Sequence, residues 1–588
     1  MIDPTSKLNT VLTKNLQQMV KAQHNILETL PNLSGAAFQQ ITAQAWGEMA
    51  GEIMKNPMPY LQLQQNWWEL QFKLWMSFME GMTGKIEPVV RPHPKDRRFA
   101  DEEWYKSAVH NYLMQTYLVN TQALQRLVDA YGGNGKTGRT LSYQVRQLIE
   151  ALSPSNYFLT NPDAIAKAIE SRGISLVNGF TNLVNDLNQG RVTMTDTKPF
   201  EVGKNIAVTK GAVVYEDPLV QLLQYSPTTA QVHERPVVIL PPWINKFYIL
   251  DLQASTSYAK YSVDQGFTTF MVSWRNPSDE MGNTSWEDYM TSALRCFEAV
   301  QAITGAKTVN AVGYCIGGTL LASVLAHLQA KKKDFIGAVT LLAAMVDFTD
   351  PGELSIFIDE KQIGEREREF LDGGVYPGNV MANAFAFLRA NDLVWSYVVK
   401  NYLKGEDYTP FDLLYWNSDP TNLPGNMYLY YIRNMYLNNA LAKPCALELL
   451  GTKIDVSQVK KPLLIVACEE DHIAPWRTVY NGTEVFGGPD RQFILSESGH
   501  IAGIVNPPGK KKRKHYYNGP LGQGPDAWHA GAQVDDDSWW PRWAEWLKGH
   551  SGKQVAAPTA LGSKDYPVIE PAPGRYVTED VDVTGWAM

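Results

Sequence analysis

Cysteine is scarce: the 588-residue chain has four, Cys296, Cys315, Cys445 and Cys468. That excludes a disulfide framework and suits a reducing compartment, where a free thiol can serve as a nucleophile. Positive charge is not in excess. A net charge of −8 provides no basic field for nucleic acid. Long apolar runs are missing as well. The longest, Ile336 to Val346, is about half a membrane span, and residues 1–30 contain no continuous apolar stretch of the signal-peptide kind. No internal repeat is visible. These absences predict a cytoplasmic protein with no transmembrane segment and no nucleic-acid partner. The length, in turn, predicts more than one structural unit. Tryptophan is abundant at 17 residues, so large apolar surfaces are expected, either inside or out.

The rhythm of the sequence divides the chain. Residues 1–199 read as a mostly helical N-terminal domain. In it Trp68, Phe72, Trp75 and Met79 recur at i, i+4, i+7 and i+11, one face of a helix. Such a stripe either packs into a core or anchors a partner or apolar surface. From residue 200 short apolar runs alternate with helical patterns: Val237 to Leu240, Thr268 to Trp274, Val309 to Val312 and Val339 to Val346. This alternation predicts an α/β core over 200–347, with a parallel sheet covered on both faces. Residues 348–455 break the pattern with aromatic-rich sequence that reads as a cap insertion, and caps exclude water from a site. Strand patterns resume at Leu463 to Ala467 and Gln492 to Leu495, so 456–550 is expected to complete the core. The Pro-, Gly- and Ala-rich stretch 551–588 is expected to be a loosely ordered tail.

One stretch carries most of the chemistry. Gly313-Tyr314-Cys315-Ile316-Gly317-Gly318 lies between a strand-like and a helix-like run. Strand, glycine-flanked turn and helix make the setting of a nucleophile elbow, whose apical side chain stands above the sheet. Most such elbows in α/β-hydrolases carry serine. A cysteine at the apex turns the expectation from hydrolysis toward acyl transfer through a thioester.

A thiol nucleophile needs a base, and the base an orienting acid. In the α/β-hydrolase order these follow the nucleophile as acid, then histidine. His500 comes just after the strand-like run 492–495, and Asp471 follows the run 463–467. Cys315, Asp471 and His500 are therefore the candidate triad. Glu469, Glu470 and Asp490 are less natural alternatives for the acid. His472 either tunes Asp471 or is an ordinary loop residue. The oxyanion hole should use the backbone N–H of Ile316 and a second from the loop after 237–240. Pro241 and Pro242 cannot donate, which leaves Trp243 or Ile244, with Ile244 preferred. The basic run Lys510-Lys511-Lys512-Arg513-Lys514 is either a solvated loop or a contact for the phosphates of a nucleotide-bearing substrate.

Together these blocks resemble polyhydroxyalkanoate synthases. The elbow looks like that family's lipase-like box. Pro241-Pro242-Trp243-Ile244-Asn245-Lys246-Phe247-Tyr248, Val272-Ser273-Trp274-Arg275-Asn276-Pro277, Phe411-Asp412-Leu413-Leu414-Tyr415-Trp416-Asn417, Glu470-Asp471-His472-Ile473-Ala474 and Ser498-Gly499-His500-Ile501-Ala502-Gly503 extend the likeness over about residues 95–550. The resemblance implies a Cys–His–Asp enzyme that polymerises (R)-3-hydroxyacyl-CoA into polyester and releases CoA. It needs no cofactor and no metal. The length looks like class I, which favours short acyl chains such as 3-hydroxybutyryl. A homodimer at cytoplasmic storage granules, contact with the polyester and phasin-type granule proteins are further expectations of the resemblance. A thioesterase or depolymerase on the same fold is the competing enzyme reading, and a granule scaffold with a vestigial pocket the non-enzymatic one.

Overall fold

A computed structural model describes residues 36–82, 84, 87–133, 135–189, 192–509 and 513–579. Residues 1–35, the lysines 510–512 and the last nine residues, on which parts of the expectations above fall, lie outside the described residues. The chain forms two compact units. One comprises residues up to Asp196 together with Asn383–Thr409, and the other comprises Thr197–Ala382 and Pro410 onward.

The first unit is helical. Its longer helices are Ala36–Lys55, Met58–Gly81, Ala108–Tyr131, Lys136–Ala151 and Ile174–Gln189. The helix Met58–Gly81 is apolar on two sides. Leu74 and Gly81 are buried, with Trp67, Gln71 and Phe78 half-buried on the same face. The expected stripe lies one position round the helix and is exposed: Trp68 is 61% and Phe72 66% accessible, and Trp75 and Met79 are each 50%. The stripe is therefore a surface of this unit.

Residues 383–409 belong to this unit and not to the expected insertion. Gly179 lets the two segments meet backbone to backbone, since a Cβ there would stand 2.0 Å from the Tyr402 carbonyl oxygen. The Tyr402 hydroxyl donates to Asp186 at 2.6 Å, and Asn401 Nδ2 to the Thr193 carbonyl at 2.7 Å. The expected cap is thus split between two units.

The second unit is built on an eleven-stranded sheet. Its strands are β1 (Gly211–Glu216), β2 (Val220–Tyr225), β3 (Val237–Leu240), β4 (Thr269–Trp274), β5 (Val309–Tyr314), β6 (Ile336–Leu342), β7 (Leu463–Cys468), β8 (Arg491–Ser496), β9 (His515–Tyr517), β10 (Gln533–Asp535) and β11 (Glu570–Pro571). The spatial order is β10-β9-β8-β7-β6-β5-β3-β4-β2-β1-β11. The central strands β4, β3, β5, β6, β7 and β8 are parallel. Antiparallel strands extend both edges, so the sheet is mixed where a parallel one was expected. Along β3 the side chains alternate between two cores. Val238 and Leu240 pack on one face, and Val237 and Ile239 on the other. A strand apolar at every position is what a sheet covered on both faces requires.

The stretch from 551 is ordered as far as Glu579, contrary to expectation. Gln554–Ala556 pairs with residues 231–233, and β11 pairs with β1. Glu579 accepts from Arg275 Nε at 2.7 Å, and Tyr576 is buried. A segment too poor in apolar residues to form its own core is held here by an open sheet edge and by ion pairs.

The two faces of the helix Met58–Gly81 predict unequal mutational costs. Leu74→Ala should destabilise the helical unit by about 2–5 kcal/mol, and Phe72→Ala should stay within about 0.5 kcal/mol. Urea unfolding of both variants checks this, and a larger loss at Phe72 would place the stripe in a core.

Candidate active site

The elbow forms where β5 runs into the helix Ile316–Ala330. Cys315 stands between them at φ 53°, ψ −128°, outside the regions L-residues favour. Such a pose costs about 1–3 kcal/mol and persists only where the surroundings enforce it. Here they do so through close backbone approach. A Cβ on Gly313 would stand 2.5 Å from the Gly318 Cα, and one on Gly317 would stand 2.4 Å from the Leu240 carbonyl oxygen. The Cys315 N–H still donates to the Leu342 carbonyl at 2.9 Å, which continues the ladder up to the nucleophile. The Cys315 side chain is left half-buried at the end of the sheet.

Asp471 and His500 arrive from the loops after β7 and β8. His500 Nδ1 and Asp471 Oδ2 are 2.6 Å apart. The other carboxylate oxygen accepts from the Ile473 and Ala474 N–H groups at 2.8 and 2.9 Å. One oxygen thus fixes the turn and the other orients the imidazole. The Asp471 side chain is fully buried and that of His500 nearly so. The Tyr314 hydroxyl donates to the His500 carbonyl at 3.1 Å, and the two rings stack. Cys315 is a near neighbour of the His500 imidazole and acts on its charge.

Burial opposes a charge on His500. The Asp471 carboxylate and Cys315 outweigh it, and the imidazole is held well above its ordinary range. Asp490, an alternative acid, stands elsewhere, 3.7 Å from His550. His472 is half-buried in the turn after Asp471.

The Ile316 N–H lies in the first turn of its helix, where the helix supplies no acceptor. The loop bearing Trp243 and Ile244 follows β3 and meets this turn at Gly317, whose Cβ would also stand 2.6 Å from the Pro241 oxygen. The loop that carries Ile244, the second expected donor, thus starts against the turn that carries Ile316. Arg513 is drawn to another task. Its Nη1 donates to the Ala502 carbonyl at 2.5 Å and to that of Val505 at 3.4 Å, which secures the loop after His500. Lys510, Lys511 and Lys512 lie outside the described residues.

Two tyrosines were not singled out from the sequence. Burial above all, with Cys315 among the neighbours that add to it, pushes the phenols of Tyr431 and Tyr436 up, so both stand near the nucleophile as neutral hydroxyls. Their rings pack on Phe348 at 6.1 and 5.1 Å. The aromatic-rich composition of the insertion pointed to this lining, but no spacing distinguishes these two from Tyr428 or Tyr430.

His500 provides a pH test. Its raised folded value means that the imidazolium adds stability below the unfolded value of about 6.5, and that this contribution is lost as pH rises through the folded value. Asp471→Asn should move the His500 titration downward, as read by imidazole NMR. An unchanged titration would remove Asp471 as the orienting acid.

Comparison with known proteins gives a consistent family. Residues 95–262 match the family described as poly-beta-hydroxybutyrate polymerase (PhaC) N-terminus, and residues 235–507 match the alpha/beta hydrolase fold. The chain is 44% identical over 521 residues to the poly(3-hydroxyalkanoate) polymerase subunit PhaC of Cupriavidus necator, covering 88% of this chain and 87% of the relative. It is 40% identical over 531 residues to the subunit of the same name from Rhizobium meliloti, covering 89% and 86%. It is also 40% identical over 554 residues to the poly(3-hydroxyalkanoate) polymerase of Methylorubrum extorquens, covering 93% and 91%.

Proposed function

The chain belongs to the poly(3-hydroxyalkanoate) polymerase family, and on that premise we propose that Cys315 carries the growing acyl group through a covalent thioester. The protein is an acyltransferase on an α/β-hydrolase fold, and it makes hydroxyalkanoate polyester. The substrate proposed is (R)-3-hydroxyacyl-CoA of short chain length, 3-hydroxybutyryl-CoA first. No cofactor or metal enters the proposed chemistry.

In the first half-reaction His500 takes the thiol proton and Cys315 Sγ attacks the thioester carbonyl of the substrate. The negative charge that develops on oxygen is met by the N–H groups of Ile316 and Ile244. As the tetrahedral species collapses, the C–S bond to CoA breaks, and CoA leaves with the proton from His500. One thioester replaces another, so the step is close to neutral in free energy. In the second half-reaction the 3-hydroxyl of another acyl unit gives its proton to His500 and attacks the acyl-Cys315 carbonyl. An ester forms, and the thiol of Cys315 is restored.

The observation that carries this reading is the buried Asp471–His500 pair beside a cysteine on a strained elbow. An alcohol is a weak nucleophile, so the second step needs a base, and His500, oriented by Asp471, is the group proposed for it. Water competes with that alcohol. Tyr431, Tyr436 and Phe348 restrict its access and favour polymer over free acid. His472 is assigned at most a supporting part beside Asp471. The basic loop 510–514 remains a candidate for the CoA phosphates through its lysines, because Arg513 is engaged by carbonyls.

The proposal extends to location. Among the described residues no helix is long and apolar enough to cross a membrane. The exposed stripe Trp68, Phe72, Trp75 and Met79 is proposed to rest on the apolar polyester of a storage granule. A homodimer and phasin-type granule proteins complete the expected set of partners.

Two tests follow from this reading. With (R)-3-hydroxybutyryl-CoA the parent should release CoA in proportion to insoluble polyester, and Cys315→Ala should do neither. Free 3-hydroxybutyrate as the main product would instead favour a thioesterase, and turnover of longer acyl-CoAs alone would overturn the short-chain assignment. Replacing Trp68, Phe72 and Trp75 together by serine should cut co-sedimentation with polyester particles several-fold and leave CoA release from soluble substrate nearly unchanged. Equal sedimentation of the triple variant would remove the stripe from the granule contact.

A further inference from the structure

The loop that offers the second oxyanion donor has no secondary structure of its own to hold it. Four of its carbonyls are nevertheless engaged by donors from outside it. Trp274 Nε1 donates to the Pro241 oxygen at 3.0 Å. The Thr421 hydroxyl donates to the Trp243 oxygen at 2.5 Å, and the Thr421 N–H to the Ile244 oxygen at 3.0 Å. Trp416 Nε1 donates to the Lys246 oxygen at 2.7 Å. Asn245 forms an isolated antiparallel bridge with Pro420, and its Nδ2 donates to the Trp416 oxygen at 3.3 Å. Apart from Trp274, every one of these partners comes from one short segment, residues 416–421.

Asp419 sits at the centre of that segment. One carboxylate oxygen lies 3.0 Å from Lys246 Nζ, and the other accepts from the Tyr248 hydroxyl at 2.8 Å. Lys246 is 8% exposed, so the ammonium is largely withdrawn from water and depends on this partner. Burial, followed by the nearby carboxylate, pushes the Tyr248 phenol up and keeps it a donor. The two side chains that Asp419 holds stand at the end of the oxyanion loop and in the 3-10 turn that follows it.

We infer that Asp419 is a positioning residue for the acyl-transfer step: through Lys246 and Tyr248 it ties the segment 416–421 to the loop 241–248 and so fixes the Ile244 N–H where the oxyanion forms. This rests on the oxyanion reading of Ile244 given above. The carbonyls of Trp243 and Ile244, on either side of the Ile244 N–H, are both held by Thr421, which restrains the peptide planes about that donor. A charged bond at the end of the loop then sets the geometry of a neutral backbone donor two residues before Lys246.

The test separates acylation from thiol reactivity. Thioester attack develops an oxyanion, whereas alkylation of the same thiol by iodoacetamide is a displacement at a saturated carbon and develops none. A Cys445→Ser background removes the exposed thiol, and Cys296 and Cys468 are buried. Asp419→Asn should slow single-turnover CoA release by about 10- to 100-fold with KM nearly unchanged, the range expected for loss of a hydrogen bond to a charged group. Alkylation of Cys315 should stay within about 2-fold. Tyr248→Phe, which removes one neutral donor and keeps the ring, should slow release by about 3- to 10-fold with the same insensitivity of alkylation, and it decides the matter if Asp419→Asn fails to fold. A parallel fall in alkylation, or unchanged CoA release in both variants, would overturn the inference. Ile244→Pro deletes the donor itself. If it slows release and Asp419→Asn does not, the clamp fails and the oxyanion reading stands. If Ile244→Pro is silent, the oxyanion reading fails and the inference falls with it.

Discussion

Everything at this site depends on one contact between two stretches of backbone. Gly317, in the first turn of the elbow helix, lies against the carbonyls of Leu240 and Pro241 at the end of β3, with no room for a Cβ between them. That contact fixes how high the nucleophile stands, because the elbow cannot relax away from the sheet. It also sets where the oxyanion loop begins. The positive φ of Cys315 is then tolerated because the residues on both sides are locked, and not because cysteine favours it.

The chemistry follows from how few free valences the buried groups retain. Asp471 accepts two N–H groups on one oxygen and the His500 imidazole on the other, so its carboxylate is satisfied without solvent. Beside it the imidazole of His500 is held well above its ordinary range, because Asp471 and Cys315 together outweigh its desolvation. The same economy recurs at Asp419, which meets a lysine and a tyrosine through its two oxygens. Each carboxylate is placed where an irregular loop needs a fixed anchor. The helix and sheet supply rigidity, and these two acids carry it out to the loops where the reaction takes place.

Much of the catalytic unit was legible in the sequence. Strands that are apolar at every position, such as Val237 to Leu240, stand out from half-buried helices. The central six parallel strands were therefore read within a few residues of their observed bounds. The antiparallel strands β1, β2, β9, β10 and β11 were not: β9, β10 and β11 are too short to give a run, and in β2 Gln221 and Gln224 interrupt the apolar residues. Cys315, Asp471 and His500 follow their strands in the expected order, so chain order alone placed them near one another. Tyr431, Tyr436 and Asp419 were not legible as site residues. They come from irregular sequence whose contacts are set by tertiary packing. The stripe on the helix Met58–Gly81 shows a further limit. Periodicity found an apolar face, but the face used for packing is the neighbouring one, because this helix is apolar on both.

The division of the insertion has a consequence for how the protein can be taken apart. Residues 383–409 leave the catalytic unit, join the helical unit and return, so the helical unit is made of two separate pieces of chain. A chimera that exchanges residues up to 196 alone would pair a foreign helical unit with a resident segment whose buried side chains, Val394, Trp395, Val398 and Tyr402, were shaped for the original. Grafting one unit between relatives therefore calls for three junctions, near 196, 382 and 409, and a library recombined at a single crossover would select against most of its members at the level of folding.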